Sequence, residues 1–492
     1  MKPSVLSRKF PLISTLYLGM VCVFAPESLR SQPIELKDPL QLFTDDCLIE
    51  KLSGEAQRVL QKPQPKEVVF TTDAPWEGNT SAYFTVFQDG DVYRMYYRGS
   101  DAPEKVKAEK EGDPSKWKSR PETTCVAESR DGVHWIRPTV NEFPWKGSKE
   151  NNIIWMGSAV AHNFTPFIDE NPVATSEARY KAVGGKGHFP RGLKSADGLH
   201  WSVNSREVFK VQGKFDSQNL AFWDTVRNEY RMYWRIYLNE VRGIRTATSK
   251  DFATWENETD LIYPGKADPD VLDKMDQVHF YTNAVRPYFR APHLFIGFPT
   301  QYIPRGKQDP PKLNQTQPLF MSSRDGVRFE LWDEPIIPTT APSQRAGNRG
   351  NYMAWGLVQL PGQPKEMSVY ATEAGHQFGP TRLRRFVYRL DGFVSVYAGA
   401  GGGELLTKPL VASGTKLVLN YRTGSGGSVR VELQDADGKP LEGFRLEDCE
   451  PLTGDSINAV VKWKGNSTLK TAPAGLRMRF VLQDADLFSM KL

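Results

Sequence analysis

The chain has 492 residues, of which 39% are hydrophobic and 25% charged, a composition that excludes a disordered protein and exceeds the usual size of one compact core. Lys and Arg number 63 against 58 Asp and Glu, but outside positions 1–31 the balance is 59 against 57. A balance so close to zero, with no run of Lys or Arg, gives no basic surface for nucleic acid.

The segment 1–31 has the pattern of an export signal. Lys2, Arg8 and Lys9 precede an apolar stretch from Phe10 to Ala25, which is shorter than the roughly 20 apolar residues of a membrane-spanning helix. We expect cleavage of this segment, which would leave a secreted or periplasmic protein without stable membrane insertion. An uncleaved anchor is the alternative.

The cysteine pattern predicts neither a zinc site nor a disulfide framework. Cys47, Cys125 and Cys449 follow the signal, far apart and without Cys-x-x-Cys spacing, so we expect buried thiols. His162 and His279 are the candidates for metal ligands, but no tight His, Asp or Glu spacing accompanies them. The sequence therefore predicts no metal and no cofactor.

An internal repeat organises the chain. Ser129 to Trp135 and Ser195 to Trp201 both read Ser-x-Asp-Gly-x-His-Trp, and Ser249 to Trp255 and Ser323 to Phe329 are looser copies. The interval between successive copies fits one four-stranded propeller blade with variable loops. Asp and Gly are typical of a tight turn, so we interpret this motif, with His134 and His200, as structural.

Strands rich in aromatic and β-branched residues lie upstream of the turns, and each follows a polar cluster that contains Asn. The strands are at 93–98, 180–184, 230–235, 294–298 and 367–371, and the clusters are at 77–79, 162–163, 216–219, 281–283 and 349–352. Because the innermost strand of a blade lines the central channel, we expect the five clusters to converge on one pocket.

The predicted fold is all-β. Positions 1–31 form the signal, 32–390 a five-bladed β-propeller and 391–492 a C-terminal β-sandwich, whose strands alternate apolar and polar residues. The ring would be closed either by the strand after Asp391 or by one near Leu42 to Ile49. The C-terminal domain would pack against the propeller, with glycan binding as the alternative, and Pro103 to Pro121 would form a surface loop.

The five-blade pattern, the Ser-x-Asp-Gly-x-x-Trp turns and the trailing sandwich resemble the propellers of glycoside hydrolase families 32 and 43. The resemblance covers most of the chain and implies three carboxylates in the channel: a base or nucleophile, a residue that holds substrate and tunes the acid, and a general acid. The family 32 motifs Trp-Met-Asn-Asp-Pro-Asn-Gly, Arg-Asp-Pro and Glu-Cys are absent, so no catalytic residue transfers by motif. The turn is also similar to the sialidase Asp box, with one residue fewer between Asp and Gly.

The acidic residues at strand openings or ends are the catalytic candidates, since glycosidic cleavage needs two carboxyl groups that face each other. We assign Glu77 and Asp216 the base and substrate-holding roles and Glu373 the acid role. Asp45 and Asp46 are rivals if their segment enters the channel mouth. For each carboxylate the alternative is a structural bond to a loop or to a nearby Arg.

Sugar sites combine aromatic faces with Arg, Asn and His side chains that bind hydroxyl groups. The substrate-binding candidates are Asn79, Arg98, His162, Asn163, His188, Asn219, Arg235, Asn283, Arg349 and Trp355. Arg286 and His279 lie near them in the predicted blades. Several Arg in one channel would suit an anionic or sulfated sugar, because a guanidinium binds carboxylate or sulfate through two hydrogen bonds.

Four functions are compatible with this pattern. The first is an exported glycoside hydrolase acting on an oligo- or polysaccharide, with channel carboxylates as general acid and base or nucleophile. The second is a glycoside phosphorylase, in which phosphate replaces one carboxylate. The third is a non-catalytic glycan-binding propeller, and the fourth is a protein-interaction scaffold, which would need an apolar patch in place of a polar pocket.

Overall fold

The structure is a computed structural model that describes residues 32–36, 38–101, 121–185, 187, 189–265, 278–303, 315–339, 350–373, 380–411, 414–469 and 475–492. The predicted signal, the predicted loop up to residue 120, His188 and Arg349 lie outside these ranges. In the described part, no helix has the length and apolar character needed to cross a membrane.

The described part of the chain begins with five strands, and the next four form the first blade-like sheet. The first five are β1 Ile34–Glu35, β2 Leu40–Leu42, β3 Ile49–Gly54, β4 Gln57–Leu60 and β5 Gln64–Thr71. Sheet 1 consists of β6 Ala82–Asp89, β7 Val92–Gly99, β8 Thr123–Ser129 and β9 Ile153–Met156, paired in that order. The short helix α1 (Ser158–Ala161) leads out of it.

Two further four-stranded sheets follow in the same antiparallel order. Sheet 2 consists of β10 Thr165–Ile168, β11 Tyr180–Gly184, β12 Arg191–Ser195 and β13 Ser202–Val208, with a 3₁₀ turn at Ser176–Ala178. Sheet 3 consists of β14 Leu220–Asp224, β15 Glu229–Leu238, β16 Val241–Ser249 and β17 Glu256–Asp260.

Sheet 4 carries an extension. Its strands are β18 His279–Thr282, β19 Arg286–Tyr288, β20 Ala291–Gly297, β21 Thr300–Ile303, β22 Gln315–Pro318, β23 Phe320–Ser323 and β24 Glu330–Trp332. Sheet 4 itself is β19-β20-β23-β24, and β18-β21-β22 form a three-stranded extension. The extension continues directly from sheet 4, because β20 leads into β21 and β22 leads back into β23.

Sheet 5 contains β25 Glu366–Glu373 and β26 Arg382–Arg389, and the N-terminal strand β5 pairs with β26. On the inner side, residues 353–358 pair irregularly with β25 through bridges at Met353 and Val358. Strand β5 therefore completes the last blade. This differs from the sequence prediction, in which the segment after Asp391 or Leu42 to Ile49 closed the ring.

In the described ranges, five sheets pack in chain order and the last contacts the first. Phe164 and Tyr96 share a buried cluster between sheets 1 and 2, a larger cluster runs through sheets 2 to 5, and Phe84 packs with Tyr370 between sheets 1 and 5. All five predicted aromatic strands are the second strands of these sheets. The all-β propeller fold is confirmed.

The Ser-x-Asp-Gly segments form the tight turns expected from sequence. In the first copy, Asp131 Oδ1 accepts the amide hydrogens of Val133 and His134 at 2.8 Å, and Gly132 has φ +73°. The indole of Trp135 donates to the Gly132 carbonyl. The second copy repeats these bonds, so the motif is a folding element and its histidines lie outside the channel.

The remaining strands are β27 Val394–Ala398, β28 Gly403–Thr407, β29 Leu410–Val411, β30 Val418–Gln434, β31 Asp455–Val460 and β32 Arg477–Lys491, with a 3₁₀ turn at Leu446–Asp448. Strand β32 pairs with β2, β27, β28 and β30, and β3, β4 and β31 extend the same eight-stranded sheet. The pairing is continuous through the long strands β30 and β32, and the two-layer sandwich stays a prediction. Strands between residues 40 and 60 belong to this sheet, although the predicted boundary assigned them to the propeller.

The predicted rival carboxylates lie away from the channel. Asp45 binds Arg324 at 2.8 Å, beside the turn at the outer side of sheet 4, and its neighbour Phe43 packs into the C-terminal core. This corrects the expectation that Asp45 and Asp46 enter the channel mouth. Cys125 and Cys449 are buried, and none of the three cysteines in the described ranges forms a disulfide.

Candidate functional site

Strand direction brings the predicted polar clusters to one face of the propeller. Strands β6, β10, β14 and β19 are innermost, and each begins directly after its cluster. We call the face at which they begin the upper face. In an antiparallel sheet the second strand ends, and the third begins, on this same face. Side chains from both positions therefore contribute to the site.

Seven side chains from four sheets and the extension form what we call the upper cluster. Its members are Tyr83, Arg98, His162, Asp216, Arg235, Tyr281 and Tyr352. The guanidinium of Arg98 lies 4.6 Å from the ring centroid of Tyr83, and the Tyr83 hydroxyl donates to the backbone carbonyl of Asp216 at 3.0 Å. Sheets 1 and 3 thus meet across the channel.

Asp216 is the exposed carboxylate of the upper cluster. Its side chain is 55% exposed, whereas that of Arg235, with which it forms an ion pair, is 5% exposed. The Arg235 guanidinium also lies 5.4 Å from the Tyr281 ring. A buried cation under an open carboxylate fixes the direction of that carboxylate, which leaves its outer side available to a ligand.

Glu122 and His162 form a second acidic group beside Asp216. His162 Nδ1 lies 2.9 Å from a Glu122 carboxylate oxygen, and Nε2 lies 3.2 Å from the Asp216 carbonyl oxygen. Arg98 Nη1 donates to the His162 carbonyl at 3.3 Å. Sequence reasoning missed Glu122, although its place at the start of a third strand puts it on the upper face by topology alone.

Aromatic rings complete the cluster. Tyr281 and Tyr352 meet edge to face with centroids 5.3 Å apart. Burial raises the pKa of Tyr83, as does the neighbouring Tyr281, while Arg98 and Arg235 oppose the rise. Tyr83 is therefore a neutral hydroxyl at physiological pH, available as a hydrogen-bond donor.

The extension of sheet 4 and the start of β16 in sheet 3 together form a second aromatic and basic group. The Arg242 guanidinium lies 4.5 Å from the Tyr302 ring centroid, and the Arg242 amide donates to His279 Nδ1 at 3.5 Å. Arg242 also lies 6.0 Å from the Tyr281 ring, which connects this group to the upper cluster. The site is thus rich in cations and in flat rings.

Several buried polar atoms around the strand openings have no hydrogen-bond partner among the described residues. They are Asn163 Oδ1, Gln218 Oε1, Asn219 Oδ1, both amide atoms of Asn351, and the Nε atoms of Arg98 and Arg235. Such atoms in folded proteins normally bind water or a ligand. Because several of these atoms lie close together, the strand openings offer unpaired donors and acceptors that could bind the hydroxyl groups of a ligand.

Glu77 does not join Asp216. Its carboxylate is fully buried, accepts two bonds from Arg137 at 2.8 and 3.0 Å and one from the Ala74 amide at 2.9 Å, and also binds the Tyr97 hydroxyl. This geometry corresponds to the structural alternative for Glu77, because the carboxylate is enclosed on all sides and both of its oxygens accept hydrogen bonds from protein groups. The predicted base role has no support in these contacts.

Glu373 is enclosed in the same way. It ends β25 on the upper face, but it is 1% exposed and binds Arg384 at 2.6 Å, with Arg382 at 3.5 Å. A carboxyl group enclosed by two arginine side chains is closed off from the oxygen of a leaving group, which does not suit the predicted proton donor. The two predicted partners of Asp216 are thus anchors of sheets 1 and 5.

The predicted asparagines hold the openings together. Asn163 Nδ2 donates to the Ser217 carbonyl at 2.8 Å, Asn219 Nδ2 to the Phe215 carbonyl at 3.2 Å, and Asn283 Oδ1 accepts the Val285 amide at 3.3 Å. The backbone amide of Asn79 donates to Asp101 at 3.1 Å. These bonds fix the backbone next to the upper cluster and leave the oxygens of Asn163 and Asn219 without a partner among the described residues.

Trp355 lies below the cluster. Its indole donates to the Val285 carbonyl at 2.9 Å across the channel, and its backbone pairs with that of β6 at Thr85. Gln218 Nε2 donates to Thr85 Oγ1 at 3.2 Å. We call Thr85, Gln218 and Trp355 the channel plug. A substrate bound at the upper cluster would not contact the Trp355 ring, and a ligand could contact that ring only from the other side of the plug.

Within the described ranges, no group of three or more His, Cys, Asp or Glu side chains is placed to hold a metal ion.

Comparison with known proteins gives structural neighbours only. No protein-family model and no curated protein matches the chain. Among solved structures, β-1,2-mannobiose phosphorylase from Listeria innocua is 11% identical, with a TM-score of 0.44 over 67% of this chain and 96% of that one. A family 43 arabinoxylan arabinofuranohydrolase from Bacillus subtilis is 11% identical, with a TM-score of 0.41 over 87% and 99%. An N-acetylgalactosamine deacetylase from F. plautii is 12% identical, with a TM-score of 0.42 over 68% and 96%.

Proposed function

We propose that the chain is a carbohydrate-active enzyme whose active site is the upper cluster, with Asp216 as the carboxylate that faces the anomeric centre. The observation that carries this proposal is one open carboxylate surrounded by buried cations and tyrosines. Glycosidic cleavage requires such a carboxylate facing the anomeric carbon or the water that attacks it. Flat rings beside it suit the faces of a sugar.

The proton for the leaving oxygen would come from the pair of Glu122 and His162. The pair lies next to the Asp216 backbone and can hold one proton between carboxylate and imidazole. In hydrolysis, the leaving oxygen takes this proton and the bond from that oxygen to the anomeric carbon breaks. Water adds its oxygen to the anomeric carbon, and the proton that this water loses passes to Asp216. Glu122 thus takes the acid role predicted for Glu373.

The substrate class that suits the site is an acidic sugar. Arg98 and Arg235 each have an Nε without a partner among the described residues, in a cluster whose exposed acid is already paired. A uronate or sulfate group would satisfy these donors, since charge-assisted bonds are about twice as strong as neutral ones. Neutral oligosaccharides would then be turned over more slowly than uronic or sulfated ones.

A phosphorolytic variant has one observation in its favour, the basic group at Arg242 and His279 next to the cluster. Phosphate bound there would attack the anomeric carbon in place of water. This variant predicts turnover only when phosphate is added.

The test incubates the mature protein with neutral, uronic and sulfated oligosaccharides, with and without phosphate, and follows product sugars by chromatography. Asp216→Asn and Glu122→Gln should each lower turnover by about 10²-fold or more. Asp91→Asn is the matched control, because Asp91 is an exposed carboxylate in the hairpin turn at the opposite face. Full turnover by Asp216→Asn would refute the proposal, and retention without turnover would indicate a glycan-binding propeller.

Export is part of the proposal. It depends on the pattern of the segment 1–31 and is tested by sequencing the N-terminus of protein recovered from the culture medium or periplasm. An N-terminus at Met1 would contradict cleavage.

A further inference from the structure

The central channel contains a cavity on the side of the channel plug that faces away from the upper cluster. It lies at the carboxyl ends of the inner strands, has a volume of about 420 Å³, and opens at what we call the lower face. The plug residue Trp355 forms part of its wall, together with Phe167, Phe222 and Phe289. A cavity of this size accommodates a ligand of one or two rings.

Two charged side chains line the lower cavity, Arg286 at the start of β19 and Glu170 just after β10. Arg286 is half-buried, and its Nε is enclosed and has no hydrogen-bond partner among the described residues. Burial lowers the pKa of Arg286 to about 10, and Glu170 counteracts this only in part. A guanidinium without a bonded partner is unusual in a folded interior, where charges are normally paired.

Glu170 does not provide the missing partner. It is exposed at the cavity rim and forms no ion pair or hydrogen bond with Arg286 within the described residues. The donors of Arg286 are thus left to an oxyanion from outside the protein, and the aromatic wall is left to a flat or apolar ring.

We infer that the lower cavity is a second binding site, for a small organic anion whose ring packs on the aromatic wall while its oxyanion binds Arg286. The geometry excludes a shared site with the upper cluster, because the plug separates the two. The inference stands on the cavity, its aromatic wall and the unpartnered Nε, and it is independent of the chemistry proposed above.

An aromatic carboxylate and a sugar acid share this chemistry, so the experiment uses one probe of each kind. Benzoate and glucuronate are titrated into the mature protein by isothermal calorimetry, with benzyl alcohol and glucose as neutral counterparts. At the lower cavity, one acid should bind at least about tenfold more tightly than its neutral counterpart, in a component that Arg98→Gln leaves unchanged, because the loss of a charge-assisted bond costs about that factor. The acid that binds identifies the ligand class.

Variants locate the site. Arg286→Gln should weaken binding of the acid by about tenfold or more. Thr225→Trp, at an exposed position of the cavity wall, should weaken it by narrowing the mouth without changing charge, which keeps the test valid if Arg286→Gln fails to fold. Glu170→Gln should strengthen binding, and Arg130→Gln, an exposed arginine in a turn, is the neutral control.

Arg98→Gln separates this site from the upper cluster and should leave the affinity unchanged. Loss of acid binding in Arg98→Gln with retention in Arg286→Gln would overturn the inference, since the anion would then occupy the upper cluster. Absence of saturable binding for both acids would overturn it as well, and neither result would affect the test of Asp216.

Discussion

Glu77 is the position at which the sequence-based and structural interpretations differ most, and Glu77→Gln distinguishes them. The carboxylate is fully buried and accepts four hydrogen bonds, two of them from the guanidinium of Arg137. Glutamine retains the size of the side chain but replaces one oxygen by an amide group. That group would point its hydrogens at the Ala74 amide or at Arg137, which are themselves donors.

The expected cost follows from these contacts. Removing one member of a buried ion pair destabilises proteins by about 3–5 kcal/mol. Arg137 is 28% exposed and also binds Asp73 at 2.9 Å, so it keeps a partner after the substitution. The loss should therefore lie at the lower end, about 3 kcal/mol of unfolding free energy.

Urea unfolding followed by tryptophan fluorescence measures this loss. Asp91→Asn is the control and should change the unfolding free energy by less than about 0.5 kcal/mol, because Asp91 is exposed in a hairpin turn. The double variant Glu77→Gln, Arg137→Met should lose clearly less unfolding free energy than the sum of the two single variants, because both substitutions remove the same ion pair. An unchanged unfolding curve combined with lost turnover would refute this reasoning and return Glu77 to the catalytic base role.

Three further predictions concern the turns and the upper cluster. Gly132→Ala should destabilise the protein by about 2 kcal/mol in urea unfolding, since the added Cβ would lie 2.4 Å from Leu360 and the backbone has φ +73°. Gly90→Ala is the control: it has φ +60° but open space around it, so it should cost about 1 kcal/mol. Equal costs for the two variants would contradict a clash at Gly132. Burial raises the pKa of Asp131, but hydrogen bonds from His134 and Val133 outweigh burial and lower it below its ordinary value. The ionised Asp131 side chain therefore stabilises the fold above about pH 4, and this stabilisation is lost as the pH falls below that value. The difference in urea midpoint between wild type and Asp131→Asn should therefore shrink between pH 5 and pH 2, and a difference independent of pH would refute this. Tyr83→Phe should cost about 1 kcal/mol and lower turnover, because the Asp216 backbone loses its donor; unchanged kinetics would separate Tyr83 from the site.

The elements that sequence predicted correctly depend on neighbouring residues. The turns at Ser129 and Ser195 contain their own donors and acceptors within a single short segment, and each is followed by a tryptophan that closes the turn. Each aromatic strand pairs as a hairpin with the next strand along the chain, and that next strand ends at the Ser-x-Asp turn. Such local signals need no knowledge of the remainder of the chain, which explains why the blade pattern could be predicted.

The elements that sequence missed depend on distant partners. Strand β5 completes sheet 5 by pairing with β26, near the other end of the propeller segment, and its own residues alternate too weakly to indicate a partner. Strands β2 to β4 likewise join β27, β28 and β32 at the far end of the chain. Propensity specifies that such segments are extended, whereas burial in the folded chain decides which edge they complete.

The same limit separates the two carboxylates that looked alike in sequence. Glu77 and Asp216 each precede an inner strand, and each meets one arginine. Arg235 ends up beneath Asp216 because it lies on the second strand of the same sheet, so the acid stays open above it. Arg137 reaches Glu77 from beyond the third strand and covers it, with Phe70 of the neighbouring sheet 4.5 Å from the guanidinium. The position of the partner, more than the acid itself, therefore decides which carboxylate is available for chemistry.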